Sequence, residues 1–235
     1  MPLLRPRPPP PQRGFPRPRK DPPVVEVDHE VQVEIWSDVA CPWCYVGTAR
    51  FERAVAETGA DVDVVYRSFE LDPSVPPSEG PPLTEYLARK FGDLSRVQAA
   101  HARLTDAGAE LGIDFRWSQM RRANTFDAHR LLAWALHTRG AESQRALKNV
   151  LLRAYFTEAR EVADHEVLAD LASAVGLDRA AALALLASDG EAHFVRAERE
   201  EAYRNGIHAV PTFIVEGEWM LQGAVDTDKW VKVLT

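Results

Sequence analysis

Cys41-Pro42-Trp43-Cys44 contains both cysteines of this 235-residue chain. Two thiols at this spacing can exchange electrons with a disulfide if the backbone brings them together. Ahead of the pair, Val31-Gln32-Val33-Glu34-Ile35-Trp36 alternates apolar and polar residues, the pattern of a half-buried strand. Behind it, Tyr45, Val46, Phe51, Ala54 and Val55 recur at helical spacing as far as Thr58-Gly59. A join of strand and helix places the first sulfur over the free N–H groups of the helix start, where an anion is favoured and the thiol pKa falls. The second sulfur, one turn on, faces the first and can close a disulfide. Pro42 suits the first helical position, since its missing N–H would be unpaired there.

Other uses of the pair fit less well. A structural zinc site needs four ligands, and the sequence offers no second cysteine pair or adjacent histidine pair. A structural disulfide here would close almost no loop and constrain the unfolded chain little. An inert buried pair remains open, because free cysteine is often a small core residue.

These thiols must be positioned by the rest of the chain. An apolar content of 46% is enough for a sizeable core. The formal net charge of −7 argues against nucleic acid as a partner. Residues 1–23 carry six basic side chains against Asp21, a local +5, which leaves the rest at about −12. Ten of the 17 prolines also fall there, including Pro8 to Pro11 in one run. Residues 1–30 are therefore expected to be a disordered, polyproline-like tail. No stretch has the apolar core of a secretory signal, and none approaches a membrane span. With both cysteines in the motif, the expected compartment is the cytoplasm, and no membrane partner is expected.

Val62 to Phe69 reads as a second strand, followed by Glu70-Leu71-Asp72-Pro73 and a proline-rich loop, Ser74 to Pro82. Glu70 and Asp72 are expected to be solvated or to cap turns. From residue 83 to about 205 the apolar stripes are helical. They start at Leu83-Leu87-Phe91 and Val97-Ala100-Leu104, and continue through Ala128-Leu131-Leu132, Leu147-Val150-Leu151, Val167-Leu168-Leu171 and Leu183-Leu185-Leu186. Ser188-Asp189-Gly190-Glu191 has the form of a capping box opening a last helix, closed by Asn205-Gly206. Thr212 to Val215 and Glu218 to Leu221 flank Glu216-Gly217, a hairpin turn. Asp226 to Leu234 reads as a closing helix. The expected division is a first sheet segment over 31–82, a helical insertion over 83–190, and a second sheet segment over 191–235.

Three runs carry a family resemblance: Trp36 to Gly47, Phe69 to Pro73, and Gly206-Ile207-His208-Ala209-Val210-Pro211-Thr212-Phe213. Asn124-Thr125 with Ala128 to Leu131 adds to them. On these residues the chain resembles the DsbA superfamily, most closely its FrnE-like cytoplasmic branch, over residues 31–235. The resemblance implies an α/β thioredoxin fold interrupted by an inserted all-helical domain. It also implies thiol–disulfide exchange on protein or small-molecule disulfides. Cys41 and Cys44 would then be catalytic, with Pro42 and Trp43 supporting them. Val210-Pro211 occupies the place of a cis-proline facing the thiols, where the backbone of Val210 would pair with an extended substrate. By position alone Pro211 could equally be a trans-proline opening a strand.

Similar proteins bring the start of the inserted helix near the cleft, which makes Asn124 and His129 candidate substrate contacts. Residue type favours Asn124 as an N-cap and His129 as a packing residue. No bound cofactor is implied, because the cysteine pair is the redox centre; glutathione is a candidate reductant or substrate. Two other functions share the architecture: a glutathione-dependent isomerase or transferase of the kappa-like branch, and a redox-linked chaperone. The first typically has a serine or a lone cysteine where this chain has two.

Overall fold

The computed structural model describes residues 30–76 and 81–235. The expected tail lies outside the described residues apart from Glu30, as do residues 77–80 of the proline-rich loop. The order of elements is β1 (Val31–Ser37), α1 (Pro42–Thr58), β2 (Val62–Ser68), α2 (Leu83–Phe91), α3 (Leu94–Ala109), α4 (Phe126–Arg139) and α5 (Ala141–Phe156). It continues with α6 (His165–Ala174), α7 (Arg179–Leu186), α8 (Ala192–Arg204), β3 (Thr212–Val215), β4 (Trp219–Gln222) and α9 (Thr227–Leu234). This is a thioredoxin-type α/β fold with its helical insertion between β2 and β3.

Among the described residues the strands form one sheet in the order β2-β1-β3-β4. β1 runs parallel to β2, with Val33 opposite Val64, and antiparallel to β3, with Ile35 opposite Phe213. The parallel pair needs a crossover, and α1 supplies it. Gly59 ends α1 at φ 67°, a left-handed conformation in which its N–H reaches the Val55 carbonyl. Glu216 and Gly217, at φ 55° and 65°, make the tight turn of the β3–β4 hairpin.

Alternation along the strands separates two apolar layers. Val31, Val33 and Ile35 point to the side covered by α1 and α9, where Phe51, Phe213 and Trp230 pack with ring centroids 4.8–6.1 Å apart. Trp36, Ile214 and Met220 point to the other side and meet Ala202 of α8. A third and larger core lies within the helical insertion and extends to Val39 and Val46 beside the cysteines.

The insertion is tied to the sheet by polar groups that act like a neighbouring strand. β2 is an edge strand, so its outer N–H and C=O groups need partners. Gln144 of α5 accepts from the Tyr66 N–H at 2.8 Å and donates to the Tyr66 carbonyl at 2.9 Å. Glu198 of α8 accepts from the Ser68 N–H at 2.8 Å and pairs with Arg67.

Two local expectations are corrected. Residues 188–191 form no capping box: Glu191 precedes α8 at φ 60° without a side-chain cap, and Ser188 Oγ donates to Leu185. The reason is tertiary. The buried Arg130 guanidinium donates to the carbonyls of Leu185, Ser188 and Gly190, which fixes this stretch as the end of α7. Glu70 is not solvated either. It is buried and accepts from Arg199 at 3.2 Å. Asp72 does cap a turn, accepting from the Ser74 N–H at 3.2 Å.

Gly47 shows how tightly α1 is fitted to the loop before β3. A Cβ there would stand 2.9 Å from Pro211 Cγ and 3.3 Å from Ala224 Cα. Overpacking of this kind costs about 1–3 kcal/mol. Gly47→Val is therefore expected to lower the urea midpoint by that amount of stability, with an unchanged slope.

Candidate active site

Residues 38–41 leave the end of β1 and enter α1, and Cys41 is the N-cap of that helix. Its Sγ accepts from the Cys44 N–H at 3.3 Å and donates to the Val210 carbonyl at 3.6 Å. The Val210–Pro211 peptide bond is cis. Cys41, Cys44, Val210 and Pro211 are thus assembled at one end of the sheet, although 169 positions separate Cys41 from Val210. Both cysteines are buried, Cys41 retaining 4% exposure and Cys44 none. Pro42 opens the helix, and Trp43 is 41% exposed beside the sulfurs.

Beneath them sits a carboxylate that the sequence reading quoted only as part of the motif. Asp38 is 1% exposed. Its Oδ1 accepts from the Ala40 N–H and faces His129 Nε2, each at 3.3 Å, while Oδ2 accepts from the Leu71 N–H at 2.7 Å. Burial alone would raise this carboxyl. The hydrogen bond and charge of His129, with the Leu71 N–H, outweigh burial and hold it below the usual carboxylate value. His129 is buried on α4 as a partner of Asp38.

Asn124 serves the scaffold. Its Oδ1 accepts from the Phe126 N–H at 2.9 Å at the start of α4, and its Nδ2 donates to the Val75 carbonyl at 2.6 Å. The expected N-cap is corrected by one residue: Thr125 holds the cap position, and Asn124 reaches the helix start from the residue before it.

Lys148 was missed altogether. It is wholly buried on α5, its Nζ makes no hydrogen bond among the described residues, and it lies 5.5 Å over the Tyr66 ring. Burial pushes its ammonium below the usual lysine value, while the negative charges of Cys44, Asp38 and Cys41 pull it back up. A signal was present. Gln144, Lys148, Leu151, Leu152 and Tyr155 recur at three- and four-residue spacing, which places a lysine on the buried face of the helix.

These charges reverse the expectation for Cys41. Burial pushes its thiol well above the ordinary value; the hydrogen bond and charge of Cys44 and the Asp38 carboxylate add to that, against the Cys44 N–H. Burial would raise Cys44 too, but the hydrogen bond from Cys41 and the Lys148 ammonium outweigh it and bring this thiol down. The Lys148 ammonium thus favours a negative charge on Cys44, and the Asp38 carboxylate disfavours one on Cys41. The helix start acts on Cys41 as expected, and the buried surroundings overrule it.

A family model described as a DSBA-like thioredoxin domain matches residues 32–235. The chain belongs to this family. A probable DsbA oxidoreductase of Streptomyces coelicolor is 38% identical, with a TM-score of 0.79 over 88% of this chain and 89% of that one. The uncharacterized protein YwbO of Bacillus subtilis is 28% identical over 207 residues, 87% of this chain and 96% of its own. A 2-hydroxychromene-2-carboxylate isomerase, 21% identical, shares the fold at a TM-score of 0.60 over 82% of this chain and 89% of that one. The DsbA-like chain described here has, among its described residues, no helix long and apolar enough to cross a membrane.

The opposed charges give a paired test. Lys148→Met removes the cation that lowers Cys44, so the thiol titration should move up and iodoacetamide labelling near pH 7.5 should slow about 3- to 10-fold. Asp38→Asn removes an anion that raises Cys41 and should speed labelling of that cysteine. Alkylation rates across pH 6–10, with the labelled cysteine located by mass spectrometry, measure both.

Proposed function

We propose that this DsbA-like protein is a cytoplasmic thiol–disulfide oxidoreductase of the FrnE-like branch, exchanging two electrons between the Cys41–Cys44 pair and protein or small-molecule disulfides. The observation that carries this reading is the Cys41 sulfur itself. It caps α1, with Cys44 one turn behind it and the carbonyl of Val210 beside it. The occurrence of both cysteines of the chain in this one motif supports a reducing compartment.

The proton inventory follows from the charges. As a substrate disulfide arrives, Cys41 passes its proton to the Cys44 thiolate and attacks one substrate sulfur. A Cys41–substrate disulfide forms and the first substrate thiolate leaves. Cys44 then attacks the Cys41 sulfur, its proton going to the departing thiolate, and the second substrate thiol is released. The dithiol has lost two electrons, the substrate has gained them, and an external thiol such as glutathione restores the pair.

In this reading Val210 pairs with the extended backbone of a substrate, and the exposed Trp43 offers it apolar surface. The direction of exchange is set by ionisation of the pair as a whole: the lowered Cys44 thiol stabilises the reduced form and raises the potential, while the raised Cys41 thiol works against that. A glutathione transferase or isomerase has no use for a resolving thiol at Cys44, which sets the present reading ahead of it.

Equilibration in graded glutathione buffers, followed by Trp43 fluorescence and thiol trapping, tests the proposal. A reversible two-electron transition is expected; a midpoint near roughly −270 mV marks a reductase and one near roughly −120 mV an oxidant. Cys41→Ser should abolish exchange, and Cys44→Ser should accumulate the mixed disulfide. If no Cys41–Cys44 disulfide formed at any ratio, the oxidoreductase reading would be wrong.

A further inference from the structure

Helix α2 is amphipathic, with Leu83, Leu87 and Phe91 along one face, yet it buries none of its residues. A helix of this pattern ordinarily packs its apolar stripe against the core. Here the stripe forms one wall of a cavity of about 520 Å³. Val97, Ala100 and Leu104 of α3 form another wall, and Trp117 and Phe156 add aromatic surface. Cavities of this size take small molecules whose apolar bodies are gripped on several sides.

The lining is chemically mixed. It includes Ala40 and Pro42, the residues on either side of Cys41, and Asp38. Lys90 and Arg122 also line it and share one carboxylate, Asp72, at 3.4 Å and 2.6 Å. That carboxylate also accepts from Tyr86 and Ser74, so one positive charge is left over. Arg122 lies 3.9 Å over the Tyr86 ring, and its buried Nε has no hydrogen-bond partner among the described residues.

We infer that this cavity binds small disulfides with an aromatic or other apolar body that carry an anionic group. The body lies along α2 and α3, the anion meets Lys90 and Arg122, and the disulfide is presented to Cys41. This inference rests on the thiol–disulfide reading and names a substrate class for it. Cys41 attacks one sulfur of the aryl disulfide and releases one aryl thiolate. Cys44 attacks the Cys41 sulfur and releases the second, so the dithiol is oxidised by two electrons and the substrate is reduced.

The test is a single turnover of the reduced full-length chain with 5,5′-dithiobis(2-nitrobenzoate), an aryl disulfide with a carboxylate on each ring. 2-Hydroxyethyl disulfide, too small and uncharged to need the cavity, is the control. Ala100→Trp fills the cavity and Leu87→Glu places an anion on its wall; the second lies on a helix that buries nothing and spares the fold. Both should slow the nitrobenzoate reaction at least 10-fold, and Lys90→Glu should slow it about 5-fold. All three should leave the hydroxyethyl disulfide rate within about twofold of the parent.

Unchanged nitrobenzoate rates in these variants would overturn the cavity proposal and leave the oxidoreductase reading intact. So would an effect confined to reduction of a disulfide-bonded protein, which would make the cavity a socket for a side chain. If the parent reduced neither disulfide, the oxidoreductase reading would fail instead. Binding to the unreactive Cys41→Ser protein separates the two cases. There, saturable one-to-one binding of anilinonaphthalene sulfonate, tighter than that of its uncharged parent amine and lost in Ala100→Trp, supports the site. Equal binding of the two, or binding that Ala100→Trp leaves unchanged, counts against it.

Discussion

The end of the sheet that carries the two cysteines hangs on one buried carboxylate. Asp38 receives the Ala40 N–H from the turn that presents Cys41, the Leu71 N–H from the segment after β2, and the ring of His129 from α4. Burying a carboxylate costs several kcal/mol. Hydrogen bonds to a charged group contribute about 1.5–3 kcal/mol each, so three of them are of the right size to offset that cost. The arrangement stands or falls as a unit, because any missing donor leaves the carboxylate underpaired. Sheet, insertion and active-site turn are thereby held in one register around the sulfurs.

The same constraint sets the electrostatics of the thiols. Asp38 stands on the Cys41 side and opposes a negative charge there. Lys148, carried in by the insertion, favours a negative charge on Cys44. A helix start alone would favour a negative charge on Cys41. Two buried charges of opposite sign, applied to two adjacent sulfurs, shift that preference toward Cys44. The helical insertion thus contributes to the surroundings of the cysteine pair as well as to the walls of the cavity, and Gln144 and Glu198 fix it to the edge of the sheet that carries the pair.

Much of this was legible before any coordinates, and the reasons are local. Strand β1 shows in the alternation of Val31, Val33 and Ile35, and α1 in the spacing of Phe51, Ala54 and Val55, since burial on one face imposes a period on the sequence. Turn residues with demanding backbone angles, Gly59 and Glu216-Gly217, marked the ends of elements correctly. Where local grammar failed, a distant side chain had intervened. Ser188 to Glu191 has the letters of a helix start, yet Arg130 takes its carbonyls for the end of α7. Glu70 looks like a surface acid until Arg199 arrives from α8.

The sequence by itself determined the chemistry available: two thiols one helical turn apart, at a strand–helix join, with a proline-bearing loop able to face them. It determined the order of elements too, because periodicity and turn chemistry act over a few residues. Only the tertiary structure decided which charges face the two sulfurs. That depends on Asp38 and Lys148 converging from separate elements into a buried space, where a charge acts more strongly than it would in water. Nor does any local pattern reveal that the apolar face of α2 borders an open cavity rather than a core. A stripe of Leu83, Leu87 and Phe91 reads alike in both cases, and only the distance to the opposite wall separates them.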